Sequence, residues 1–142
     1  MSSRSRLGLR LLAPVAAMAA IFYFSSQPFD GPELAWWEVV LRKLGHVSGY
    51  FLLTSAWWWA LVGVIRRPLL AAALISLAYA AGDEYHQTFV EGRTGTPVDV
   101  CIDATGIALA ALLINRSIVK RRPQGSKTKQ FKDAGQSPKR AY

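Results

Sequence analysis

Asp83-Glu84-Tyr85-His86-Gln87, then Glu91-Gly92-Arg93, then Asp99 and Asp103, closing at Gly106, decide how this chain reads. These ionisable groups lie between two almost wholly apolar runs, residues 69–81 and 107–114. A charged side chain at membrane depth costs several kcal/mol, so such groups are rare there unless they face a polar interior or a cavity. Their density at the junction of two hydrophobic segments points to a polar site built inside a bundle.

Outward from that stretch, the hydropathy divides the chain into four segments. The first is interrupted only by Arg10 and Pro14, and the second is apolar from residue 44 to 65. A helix needs about 20 residues to cross the hydrocarbon core of a bilayer. Only the second segment reaches that length without interior charge; the third and fourth do so only if Asp83, Glu84, His86, Asp99 and Asp103 lie within the helices or at their ends. The expectation is an all-α, four-helix transmembrane bundle over residues 1–119, with helices at about 7–26, 44–65, 68–90 and 98–119.

Charge placement supports this reading. With both termini in the cytoplasm, 14 of the 17 Lys and Arg residues fall on that side, and only Arg42, Lys43 and Arg93 on the other. This is the positive-inside pattern. The segment 120–142 holds eight Lys or Arg and one acid, Asp133, among Ser, Gln, Gly and Pro. It cannot bury enough apolar surface to offset its chain entropy, so a disordered cytoplasmic tail is expected, drawn to anionic inner-leaflet lipids. Residues 4–20 also resemble a signal peptide, but the apolar run continues through Ile21-Phe22-Tyr23-Phe24. Because the basic excess is confined to membrane-flanking positions and the tail, no nucleic-acid partner is expected. The single Cys101 excludes an internal disulfide and a multi-cysteine metal site, and its apolar neighbours Val100 and Ile102 suggest a packed thiol.

Helical spacing sorts the polar residues onto faces. Lys43, His46 and Tyr50 share one stripe of the second segment, beside a small-residue row of Gly45 and Gly49 that would let a neighbouring backbone approach. Asp83, His86 and Gln87 share a face of the third segment, with Glu84 one step off it; Asp99, Asp103 and Gly106 share a face of the fourth. Turning all three stripes inward lets cations and carboxylates compensate one another. The connector 88–97 carries Gly92, Gly95 and Pro97, turn residues that would hang Arg93 over the cluster. Residues 32–41, with Trp36 and Trp37, suit a helix at the headgroup level, whereas Trp57-Trp58-Trp59 suits packing between helices or the inner interface.

These pieces, with Phe22-Tyr23-Phe24-Ser25-Ser26-Gln27-Pro28 before them, carry a resemblance to the VanZ-like family of small membrane proteins, named for a member associated with teicoplanin resistance. The match covers roughly residues 10–115. Two positions depart from the family pattern: Arg42 stands where an acid is usual, and Gly49 where an aromatic or other large residue is usual. The resemblance implies a multi-pass protein of the bacterial cytoplasmic (inner) membrane with a polar cluster at the cell-surface side, and a link to glycopeptide susceptibility.

The residues support best a protein that binds or modulates a lipid-linked or cell-envelope component. Lys43 and Arg93 would pair with an anionic headgroup, while His46 and Gln87 would supply directional hydrogen bonds. The alternative is an intramembrane hydrolase or transferase on a lipid phosphate, with His46 or His86 as base and Asp99 or Asp103 orienting it. The acids and histidines could equally hold a divalent cation. Transport fits less well, because four helices are few and the inner halves of the second and third carry no ionisable group; a homodimer stays open. A bare salt-bridge network fixing helix register is the bland reading. The candidate cluster is therefore Lys43, His46, Asp83, Glu84, His86, Gln87, Arg93, Asp99 and Asp103, with Asp83 expected to be solvated at its helix end.

Overall fold

A computed structural model describes residues 3–28 and 35–120. The tail expected from residue 120 therefore lies almost wholly outside the described residues, as does the start of the headgroup-level segment. Four helices follow in order: α1 (Ser3–Ser25), α2 (Trp36–Leu61), α3 (Pro68–Gln87) and α4 (Pro97–Lys120). Among the described residues there is no strand, so the fold is all-α, as the hydropathy implies.

Helix α2 begins eight residues before the apolar segment that announced it. Nothing between residues 36 and 44 breaks a helix, and Arg42 and Lys43 are good helix formers. The Glu38 carboxylate reaches back to accept the Ala35 N–H at 2.8 Å, which fixes the start. Trp36 and Trp37 thus belong to the same helix as His46 and Trp57, not to a separate surface piece. At the other end α2 stops at Leu61 although the apolar run continues to Ile65. Gly63 takes φ 78°, a left-handed turn that suits glycine, and Pro68 then opens α3 where its missing N–H costs nothing. Thr96 starts α4: its hydroxyl donates to Asp99 Oδ2 at 2.7 Å and accepts the Asp99 N–H at 3.3 Å.

Hydrogen bonds between distant elements set which helix ends meet. Ser25 of α1 meets Asp83 of α3, and Lys43 of α2 meets Asp99 of α4. At the opposite end Arg10 of α1 approaches the Val62 carbonyl, with its guanidinium 5.4 Å from the Trp59 ring centre. Both described termini therefore lie at the end away from the polar residues of α3 and α4. A close backbone approach joins α2 to α4, where Gly106 sits against the Val47 carbonyl. Gly45 and Gly49 do not make that approach: a methyl group on Gly45 would touch nothing, and one on Gly49 would meet only the Ile21 side chain.

The core is small. Tyr50, Leu53, Ala80 and Ile107 are buried together, with Met18, Ile21, Trp57 and Val100 packed against them. The outside is the more apolar part, exposing Leu12, Phe24, Leu52, Leu74, Phe89 and Leu112 among others. A monomer in water rarely shows so continuous an apolar surface, but one surrounded by lipid does. By length and hydropathy α1 (over Ser5–Ser25) and α4 are suited to cross a bilayer. Cys101 is exposed on this outer side, contrary to the packed thiol expected, because Val100 and Asp103 take the inward positions of α4.

Candidate functional site

Four helices and one loop bring the polar residues together at one end of the bundle. Lys43 Nζ donates to Asp99 Oδ1 at 2.6 Å, and Asp99 sits in the first turn of α4, where the helix dipole favours negative charge. One turn further along each helix, His46 Nδ1 stands 3.2 Å from Asp103 Oδ1 and 3.7 Å from Glu84 Oε1. With its proton on Nδ1 the ring donates to Asp103. From α3, Gln87 Nε2 donates to Glu84 Oε1 at 2.9 Å and to Asp83 Oδ2 at 3.3 Å. Ser25 Oγ completes the chain by donating to the same Asp83 oxygen at 2.7 Å.

Arg93 comes from the loop. Its Nε donates to the Gln27 carbonyl at 2.9 Å and its Nη2 to the Phe24 carbonyl at 2.6 Å. It thereby fastens the loop to the end of α1, whose last carbonyls have no partner within the helix. Burial, then the neighbouring Arg42, lowers its pKa from the ordinary value, yet a guanidinium stays charged at any working pH. Gly95 holds the loop down, since a methyl group there would collide with the Glu84 carbonyl. Gly95→Ala is accordingly expected to lift the loop from α3 and cost about 1–3 kcal/mol, seen as a lower thermal midpoint by circular dichroism in detergent.

The structure brings together Lys43, His46, Glu84, Gln87, Arg93, Asp99 and Asp103 around one polar cavity of about 220 Å³. Asp83 stands behind it and is 4% exposed, buried against Ser25 and Gln87 rather than solvated at the helix end. His86 does not join. Its ring lies 4.7 Å from that of Phe22 on the flank of α1. At about 100° per residue, the face that carries Asp83, Glu84 and Gln87 inward turns His86 aside. Glu84, read as one step off the polar face, is at its centre.

Three further residues belong to the site. Arg42 lines the cavity beside Lys43, Thr96 holds Asp99, and Ser25 holds Asp83. Ser25 and the two carbonyls that Arg93 grips all lie in the Phe22–Pro28 stretch, so that motif contributes to the site as well as ending α1. Adjoining the polar cavity is a second, apolar one of about 520 Å³ between α1 and α2. Ala17, Ala20, Ile21, Gly45, Gly49 and Leu52 line it, and Arg42, His46 and Arg93 are common to both. The small row on α2 therefore opens a groove instead of admitting a backbone.

A family model described as VanZ/LLP1 matches residues 10–120. A protein of Bacillus subtilis (strain 168) described as the uncharacterized membrane protein YwnJ is 33% identical over 117 residues, which cover 78% of each chain. No solved structure matches the chain.

Proposed function

Because the chain belongs to the VanZ/LLP1 family, and is related to a membrane protein throughout most of its length, we propose that it is a four-span protein of the bacterial cytoplasmic membrane that binds a lipid with an anionic headgroup. One observation carries this: a polar cavity and an apolar groove meet at Arg42, His46 and Arg93. A phosphate or carboxylate headgroup would lie in the polar cavity against Arg42, Lys43 and Arg93, where arginine offers paired, fork-shaped donors. The acyl chain would follow the groove between α1 and α2 past Gly49 and Leu52. With the basic end of the bundle in the cytoplasm, as the charge bias favours, this site faces the cell surface, the side of lipid-linked envelope components.

Titration of the purified chain with dioctanoyl phosphatidic acid, dioctanoyl phosphatidylcholine and inorganic phosphate tests the reading. Phosphatidic acid is expected to bind about tenfold or more tightly than either of the others, and Gly49→Leu, which narrows the groove, to weaken it toward the level of phosphate alone. Phosphatidylcholine binding as tightly would remove the headgroup from the argument. Inorganic phosphate binding as tightly would remove the lipid.

Hydrolysis or transfer on the same lipid phosphate is a second reading, favoured by the His46–Asp103 pair at 3.2 Å, whose histidine lines both cavities. A base oriented by a carboxylate is a recurrent arrangement for proton transfer. Phosphorus NMR of a phosphorylated lipid incubated with the protein reads this directly. Turnover that disappears in a folded His46→Ala protein would establish it, and no turnover would leave binding as the activity.

A further inference from the structure

Three carboxylates go unused by the binding reading: Glu84 and Asp103 on the wall of the headgroup cavity, and Asp83 behind it. Asp83 and Glu84 are each 4% exposed and Asp103 is 1% exposed. Each has one oxygen engaged, by Ser25 and Gln87, by Gln87, and by His46 respectively. The other three, Asp83 Oδ1, Glu84 Oε2 and Asp103 Oδ2, are buried and find no hydrogen-bond partner among the described residues. Buried acceptors of this kind are normally satisfied, and three ionised carboxylates in one interior are costly without positive charge. The bonds formed by two neighbouring cations run elsewhere: Lys43 to Asp99, and Arg93 to the carbonyls of Phe24 and Gln27.

The geometry points to a divalent metal site, and we propose that His46, Asp83 and Glu84 hold one ion, with Asp103 beside them. A donor atom from each of His46, Asp83 and Glu84 lies within 4.8 Å of the others. Metal–donor distances of about 2.0–2.2 Å place opposite donors at most about 4.4 Å apart, so small side-chain rotations close the site. One imidazole with carboxylates suits zinc or manganese better than calcium or magnesium, which prefer oxygen alone. The ion offsets the buried negative charge and ties α2 to the last turns of α3. Asp103, one of the three acids with an orphaned oxygen, completes the set from α4 either as a ligand or by hydrogen-bonding one. The inference goes beyond lipid binding and stands without it, since the ion is read with no lipid probe present.

Zinc binding to the full chain in nanodiscs of phosphatidylcholine tests this, in a Cys101→Ser background and with any polyhistidine tag removed, so that the exposed thiol contributes no adventitious site. About one zinc per chain is expected, bound at least about tenfold more weakly by His46→Ala and by Glu84→Gln. Zinc X-ray absorption of the parent protein is expected to show imidazole scattering among oxygen donors. Should either variant lose helix content, that spectrum of the unmutated site decides. Substoichiometric zinc in the parent, affinity unchanged by both substitutions, or a spectrum without imidazole would overturn the site.

Discussion

Arg93→Ala is expected to weaken binding of dioctanoyl phosphatidic acid by about tenfold to a hundredfold. A hydrogen bond to a charged group is worth about 1.5–3 kcal/mol, and about 1.4 kcal/mol is a factor of ten. Arg93 lines both cavities, so its loss removes a donor at the point where headgroup and chain would join. It also releases the carbonyls of Phe24 and Gln27, which fasten the end of α1 to the loop. Two effects therefore need separating. Arg93→Lys keeps the charge but cannot span both carbonyls with a planar fork, so its affinity is expected between those of Arg93→Ala and the wild type. Circular dichroism and lipid titration together distinguish a lost anchor from a lost ligand contact. An Arg93→Ala protein that binds phosphatidic acid like the wild type would take the headgroup away from this arginine.

Gly106→Ala is expected to be the most damaging small substitution within a helix. The added methyl would run into the Val47 carbonyl and stand 3.2 Å from the Phe51 nitrogen. Both neighbours are helix backbone, which cannot turn aside as a side chain would. Overpacking of this kind costs about 1–3 kcal/mol, and separating α2 from α4 also stretches the 3.2 Å contact between His46 and Asp103. Gly45→Ala is the internal control, because its methyl touches nothing and alanine is the better helix former by up to about 1 kcal/mol. Thermal unfolding in detergent is expected to fall for Gly106→Ala and to hold or rise for Gly45→Ala. Equal midpoints would mean that α2 and α4 do not meet at this glycine.

The two substitutions also mark how far the sequence could be read. Periodicity placed Asp99, Asp103 and Gly106 on one face of α4, and Lys43 with His46 on one face of α2, and those faces do meet. What periodicity could not supply was the rotation of α3. Asp83, Glu84, His86 and Gln87 lie within five residues, and choosing which of them turn inward needs the position of the neighbouring helices. The early start of α2 was hidden for a related reason: hydropathy falls at Arg42 and Lys43, whereas the backbone hydrogen bonding runs through them. Glycines on a helix read as one kind of signal, yet Gly106 admits a backbone while Gly49 opens a groove. Much of the contribution of the Phe22–Pro28 stretch was invisible to chemistry-based reading, because Arg93 takes its carbonyls and only Ser25 offers a side chain.

Lipid binding is tested most directly by native mass spectrometry of the full chain released from nanodiscs that mix phosphatidylglycerol with phosphatidylcholine. One phosphatidylglycerol retained per wild-type chain, and lost from an Arg42→Gln/Arg93→Gln protein of unchanged helix content, is the expected result. Bare protein, or the two lipids retained in the proportion supplied, would contradict a site that selects an anionic headgroup.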